Sequence, residues 1–229
     1  MTDPDPGERL VRLGDVARTY GRGPDAVVAV HGVTCTLGRT DRVAITGPSG
    51  SGKSTLLHLI SGLDDPTAGR IDWPGLGGRP FGRPGVVGMV FQGPSLIAQL
   101  DVVGNVALPL VLADVAECEA LNRARRALDA VGLADLSPRL PEELSGGQAQ
   151  RAAVARVLAA EPALIVADEP TAQLGSAHAV QVLDLLLKAA DDLNAGLVVA
   201  THDPRMAERL PRRWRMADGA LLEGEPCSS

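Results

Sequence analysis

The sequence predicts an α/β fold with a mainly parallel core sheet, an antiparallel β region at the N-terminal end and an inserted helical lobe. Short apolar runs that read as buried strands alternate with helical stretches along the chain. A glycine-rich loop joins one of those strands to a helix at residues 47–55, and from 93 to about 140 the pattern turns to helical spacing. At 229 residues the chain is long enough for one such domain with its own core.

Taken in order, the first 40 residues carry the β-like runs LVRL, VARTY and VVAV, separated by Gly and Pro clusters as in an antiparallel sheet. RVAIT (42–46) is a short apolar strand, and KSTLLHLISGL has helical spacing with no breaker until Gly62. A Gly/Pro-rich stretch from Pro74 to Gly85 leads into VVGMVF (86–91), another strand. In ECEALNRARRALDAVGL the residues Leu121, Ala124, Leu128 and Val131 fall on one helical face. The alanine-rich QAQRAAVARVLAA is a strong helix former, and ALIVAD (163–168) reads as a fully buried strand. Ser176 is placed to cap a helix through about Leu193, with Val180, Leu183, Leu187 and Ala190 inward. LVVAT (197–201) reads as the last clear parallel strand. The expected layout is a tail at 1–8, a single domain at 9–222 with its helical subdomain at about 93–150, and a second tail at 223–229.

Composition excludes several classes. A net charge of −6 and a pI near 5.2 argue against a nucleic-acid partner, which would require clustered Lys and Arg. Cys35, Cys118 and Cys227 are odd in number and widely spaced, so neither a disulfide framework nor a zinc site is indicated. The acidic, proline-rich MTDPDPGERL lacks the character of a signal peptide. The most apolar region, VVGNVALPLVLADVA, is broken by Asn105, Pro109 and Asp114 and falls short of the roughly 20 residues that span a bilayer. Any membrane role is therefore expected to come through a partner.

The glycine loop GPSGSGKST comprises Gly47, Pro48, Ser49, Gly50, Ser51, Gly52, Lys53, Ser54 and Thr55, and fits G-x-x-x-x-G-K-[ST] in the required strand–loop–helix context. Its glycines let successive N–H groups converge on phosphate oxygens, and the helix N-terminus adds positive potential. Lys53, one of only two lysines in the chain, is placed to reach the β- and γ-phosphates, and the Ser54 hydroxyl to ligate Mg²⁺. ALIVADEP delivers Asp168 and Glu169 at the end of an apolar strand. Asp168 suits a water-mediated hold on Mg²⁺, and Glu169 can accept a proton from, or orient, an attacking water. The reaction these parts point to is phosphoryl transfer to water.

With LSGGQAQR added, the chain resembles the ATP-binding-cassette (ABC) ATPases over nearly its whole length, so the fold class implied is a P-loop NTPase cassette. The resemblance assigns Tyr20 to adenine stacking, Gln92 to a lid that senses Mg²⁺ and the attacking water, and His202 to the γ-phosphate. It also assigns Leu144, Ser145, Gly146, Gly147 and Gln148 to a signature that covers the ATP held by a second subunit, which implies a homodimer around two ATP. His31, His58 and His178 match no motif and are expected to be structural or solvated.

The wording of the motifs is most similar to the macrolide and lipoprotein exporter group (MacB-, LolD- and FtsE-like). That implies a separately encoded FtsX-like or MacB-like permease and a cytoplasmic location on the inner face of the membrane. Leu96, Ile97, Val106 and Leu108 offer a permease-docking face or, equally, core packing of the helical lobe. Two departures stand out. RIDWPGLGGRPFGRPGVVG is shorter than the matching region of close relatives, and Gly175 stands where the family has an aspartate, which suggests slow or partner-dependent hydrolysis. The alternative kept open is an ATP-binding regulatory module that acts on a membrane partner without transport.

Overall fold

The computed structural model describes residues 9–172 and 174–222. The two expected tails, and Cys227 with them, lie outside the described residues. In chain order the elements are β1 (Arg9–Tyr20), β2 (Val27–Gly38), β3 (Arg42–Thr46), α1 (Lys53–Ile60), β4 (Ala68–Asp72) and β5 (Val87–Val90). They continue with α2 (Val102–Leu112), α3 (Glu117–Ala130), α4 (Gly146–Ala160), β6 (Leu164–Asp168) and α5 (Ser176–Asp192). The last are β7 (Gly196–Ala200), α6 (Pro204–Ala207), β8 (Arg212–Ala217) and β9 (Ala220–Leu222). They form two compact units, one from the segments up to Phe81 and from Gly196 onward, the other from Gly82 to Ala195.

In the first unit, LVRL and VARTY are a single strand. β1 runs through both, pairs antiparallel with β2 and β4, and absorbs the break through register shifts around Asp15, whose φ is 49°. The core strands of this unit place β3 between β7 and β8, parallel to both, with β9 antiparallel to β8. β8 is a parallel strand beyond LVVAT, where the sequence showed none. Its sequence RRWRMA alternates, with Trp214 and Met216 buried and Arg213 and Arg215 outward, so it lacks the continuous apolar run of β3 or β7. α1 buries Leu56, Leu57, Leu59 and Ile60 completely, each worth about 1.5–3 kcal/mol of transfer free energy. The Trp73 indole N–H, donated to the Ile60 carbonyl at 2.8 Å, closes the end of that helix.

In the second unit, β5 and β6 pair in parallel, with Val90 opposite Ala167. α4 buries Ala152, Ala153, Val154, Ala155 and Val157. It lies so close to β5 that a Cβ on Gly88 would stand 2.4 Å from a Val157 methyl. The interrupted apolar run forms α2 in spite of Pro109, because Asp101 caps it by accepting from the Gly104 amide at 2.7 Å. On α3 the buried face is Ala120, Ala124, Ala127 and Leu128, with Leu121 only half-buried. On α5 it is Ala179, Val182, Leu183, Leu186, Ala189 and Ala190, leaving Val180 exposed and Leu187 half-buried. Both stripes are rotated by about one residue because small alanines, which a hydropathy pattern underweights, take the closest contacts. Gly175, rather than Ser176, is the N-cap of α5, and Ser176 is its first helical residue.

Candidate functional site

The first unit carries the glycine loop, Tyr20 and His202. β3 ends at Thr46 and α1 begins at Lys53, so residues 47–52 form the turn between a buried strand and a helix N-terminus. Two positions there have no room for a side chain. A Cβ on Gly47 would sit 2.2 Å from the Met216 carbonyl oxygen in β8, and one on Gly52 would sit 2.2 Å from the Ala29 carbonyl oxygen in β2. Gly52 also has φ of 95°. Pro48, Ser49, Gly50 and Ser54 are exposed, and Thr55 is half-buried.

Lys53 is almost fully buried, and its ammonium donates to the carbonyl oxygens of Gly47 and Pro48, both at 2.9 Å. The ammonium is thereby tied to the backbone at the start of the glycine loop. The Ser51 hydroxyl is buried with no hydrogen-bond partner, a costly arrangement for a site that binds nothing. Thr201 follows β7 and donates its amide to the Ile45 carbonyl at 3.0 Å, so the exposed His202 leaves the same strand edge as the glycine loop. Tyr20 ends β1 opposite Val27 and is 38% exposed, which removes the reading of a core tyrosine. β2 links it to the loop, since Ala29, two residues from Val27, abuts Gly52. His31 is structural, its ring nitrogen 3.1 Å from the Asp218 carbonyl oxygen.

The second unit carries Gln92, Asp168, Glu169 and residues 144–148. Because β5 and β6 are parallel and in register, Gln92 and the acid pair emerge at one edge. One carboxylate oxygen of Asp168 is buried with no hydrogen-bond partner. Glu169 turns the chain off the strand with φ of 47°. Among the described residues no group of three or more His, Cys, Asp or Glu could hold a metal. A single carboxylate with a free buried oxygen nevertheless fits Mg²⁺, which keeps several waters and takes its remaining ligands from phosphates.

The glycine-rich signature is not a loop throughout. Gly146, Gly147 and Gln148 are the first residues of α4, and Ser145 is its N-cap. The Ser145 hydroxyl accepts from the Gln148 amide at 3.3 Å, and the Gln148 side chain accepts from the Ser145 amide at 2.8 Å. This reciprocal box fixes the helix N-terminus by about 1 kcal/mol, and the His178 ring lies 3.4 Å from where a Cβ on Gly147 would stand. A Cβ on Gly146 would meet nothing within 4 Å, so packing within the chain does not demand that glycine. Just upstream, Glu143 accepts from the Leu140 amide and from Arg139, both at 2.7 Å, and these bonds hold its carboxyl below the usual range.

Sequence reasoning missed the residues that hold this site in place. Gln150 in α4 donates to the Phe91 carbonyl at 3.2 Å. Arg156, its pKa lowered by burial, donates to the Ser95 carbonyl at 2.9 Å and to that of Pro94 at 3.4 Å. Together they pin the segment around Gln92 to the signature helix. Asn105, almost fully buried, holds Ile97, Leu100 and Asp101 through their backbone groups. A polar residue in an otherwise apolar helix was the available signal for Asn105; Gln150 and Arg156 gave none.

A buried lysine over a strand-fed glycine cradle defines a phosphate-binding NTPase, and the capped Ser-Gly-Gly helix start narrows the class to cassette ATPases. Residues 30–172 match the family model described as ABC transporter, and the chain belongs to that family. It is an ATP-binding, ATP-hydrolysing transporter cassette. The lipoprotein-releasing system ATP-binding protein LolD of Legionella pneumophila (strain Paris) is 40% identical over 215 residues, covering 91% of this chain and 95% of the relative. The LolD of Hydrogenovibrio crunogenus is 37% identical over 220 residues, covering 93% and 96%. Among solved structures, the dimeric post-hydrolysis state of the ATP-binding cassette MJ0796 bound to ADP and Pi superposes with a TM-score of 0.86 at 34% identity, covering 96% of this chain and 99% of that one. CbiO1 from Clostridium perfringens, part of the transporter complex cbiONQ, gives a TM-score of 0.83 at 27% identity, covering 96% and 89%.

Proposed function

We propose that the chain is the energy-coupling subunit of an exporter-type complex: it pairs with a second copy around two Mg·ATP and drives a separate FtsX-like or MacB-like permease from the cytoplasmic face. The observation that carries the nucleotide reading is the buried, unpartnered Ser51 Oγ in the glycine loop; in the other unit, separately, an Asp168 carboxylate oxygen is also buried and unpartnered. LolD relatives at 35–40% identity support the lipoprotein-type exporter. Among the described residues no helix is long and apolar enough to cross a membrane; in this reading the permease supplies the membrane path.

In this reading the amides of residues 49–54 bind phosphate oxygens, and Lys53 moves its charge from the loop carbonyls to the β- and γ-phosphates. Ser54 and Gln92 would ligate Mg²⁺, and Asp168 would hold it through water. When bound, Mg²⁺ would neutralise negative charge on the β- and γ-phosphates. Glu169 orients the attacking water and takes its proton, and His202 contacts the γ-phosphate. Leu144, Ser145, Gly146, Gly147 and Gln148 cover the γ-phosphate of the second copy, where the open face of Gly146 lets backbone approach closely.

Of the residues considered for docking, Val106 is fully buried and belongs to the core, Leu96 and Leu108 are half-buried, and Ile97 is 41% exposed. The docking role therefore falls on Ile97, with the exposed Val111 and Leu112 on the same unit. The test is ATPase activity in proteoliposomes with an FtsX-like or MacB-like permease. Stimulation of severalfold that Ile97→Asp removes, with basal activity kept, supports the proposal; stimulation only by an importer permease with its binding protein contradicts it. Gly175 favours a second reading, a regulatory module, which the same assay separates because that module would bind ATP and the permease without permease-stimulated turnover.

A further inference from the structure

Tyr20 is held by two side chains that no motif marks. The Arg18 guanidinium lies over the tyrosine ring, 4.6 Å from its centroid. The Tyr20 hydroxyl donates to Asp64 at 2.7 Å, and Arg18 grips the same carboxylate through two nitrogens, at 2.7 and 2.9 Å. This is a closed triangle of ring, cation and carboxylate. It spans the end of β1 and the segment after α1, which is itself laced to β1. Thr67 donates its amide to the Ala17 carbonyl at 2.8 Å and its hydroxyl accepts from the Thr19 amide at 3.2 Å. Partial burial opposes the charge on Asp64, but the hydrogen bonds from Tyr20, from the Asp65 amide and from Arg18 outweigh it and hold the carboxyl below its usual range.

We infer that Arg18 and Asp64 are positioning residues for nucleobase binding: Arg18 occupies one face of the Tyr20 ring, Asp64 fixes the ring by its hydroxyl, and the purine of the nucleotide stacks on the opposite face. This rests on the reading of Tyr20 as the base-stacking residue. The physical gain is preorganisation. A strand-end tyrosine free in solvent would lose rotamer entropy on stacking, whereas this ring is already fixed when the base arrives. The guanidinium also makes a three-layer stack in which the cation interacts with the ring from behind. Since the phenol is spent on Asp64, the platform offers the base a π-face and no hydrogen bond from that hydroxyl.

The chain has a single tyrosine, so full-length protein labelled with [¹³C]tyrosine gives one set of ring signals. With ATP and Mg²⁺ the wild-type signals move upfield, and with inorganic tripolyphosphate they do not. In Asp64→Ala and Arg18→Ala the ATP-induced shift falls by at least half, and ATP affinity by calorimetry weakens about 3- to 10-fold. Tripolyphosphate affinity stays within about twofold, and Arg18→Lys, which keeps the cation but loses the fork, falls between. If wild type shifts and the variants match it in shift and affinity, the positioning role is refuted while stacking on Tyr20 stands. If the wild-type ring ignores ATP, the Tyr20 reading fails and the inference with it. Variants that lose tripolyphosphate binding equally would show that the triangle supports the phosphate loop, and would also overturn the inference.

Discussion

Gly175→Asp is the most informative single substitution. Gly175 has φ −62° and ψ 154°, the extended geometry of an N-cap, and no side chain caps α5. A Cβ there meets nothing within 4 Å, so an aspartate enters without strain. Its carboxylate can accept from the exposed amides of the first turn, worth a few tenths of a kcal/mol over glycine. The charge at the helix N-terminus adds about 0.3–1 kcal/mol, and loss of glycine freedom in the unfolded chain about 0.4–1 kcal/mol. These contributions overlap, so the net gain is about 1 kcal/mol, or about 2–4 °C in Tm for a chain of this size. The assay is urea unfolding with calorimetry at neutral pH, beside Gly175→Asn, which keeps the cap without the charge and should recover about half the gain. An unchanged or lowered Tm for both variants would refute the capping argument. In the same preparations, an ATPase rate that does not change, in value or in its dependence on protein concentration, would dismiss any link between Gly175 and slow turnover.

Asn105→Ala removes four hydrogen bonds to the backbone of 97–101, and should cost about 2–4 kcal/mol in urea unfolding and speed hydrogen exchange at the Ile97 amide. Burial pushes the Cys35 thiol up to about 12, with Arg212 only partly offsetting it. Iodoacetamide should therefore label exposed Cys118 before Cys35, whose rate should stay far slower at about pH 7 to 9 and still rise about tenfold per pH unit there without levelling off, as read by mass spectrometry. Since an unfolded thiol ionises near pH ~8.5 while Cys35 stays protonated, its contribution to stability is complete below that pH and falls as pH rises toward 12. Gly47→Ala drives a methyl into the Met216 carbonyl and should destabilise the fold by about 1–3 kcal/mol and abolish ATP binding measured by calorimetry.

β3, β6 and β7 were legible because each is a continuous apolar run buried on both faces. The glycine loop was legible because its residue types follow from backbone geometry that few other sequences can adopt. β8 escaped because alternating arginines disguise a strand whose inward side chains are Trp214 and Met216. The start of α4 escaped because two glycines are poor helix formers, and a capping box overrides their propensity. Arg18, Asp64, Gln150 and Arg156 could not be found from local pattern, since each acts on a group brought near only by the fold, 44 residues away for Tyr20 and Asp64 and 59 for Gln150 and Phe91.

The central claim, that this cassette hydrolyses ATP as a dimer through Glu169, is tested most directly by steady-state ATPase activity and ATP-dependent dimerisation of wild type beside Glu169→Gln. Wild type should turn over at a rate that rises more than linearly with protein concentration. Glu169→Gln should bind ATP, accumulate as a dimer and lose turnover by about 100-fold or more, as removal of a positioned general base does. Turnover undiminished in Glu169→Gln, or ATP binding with no dimer in either protein, would contradict the account.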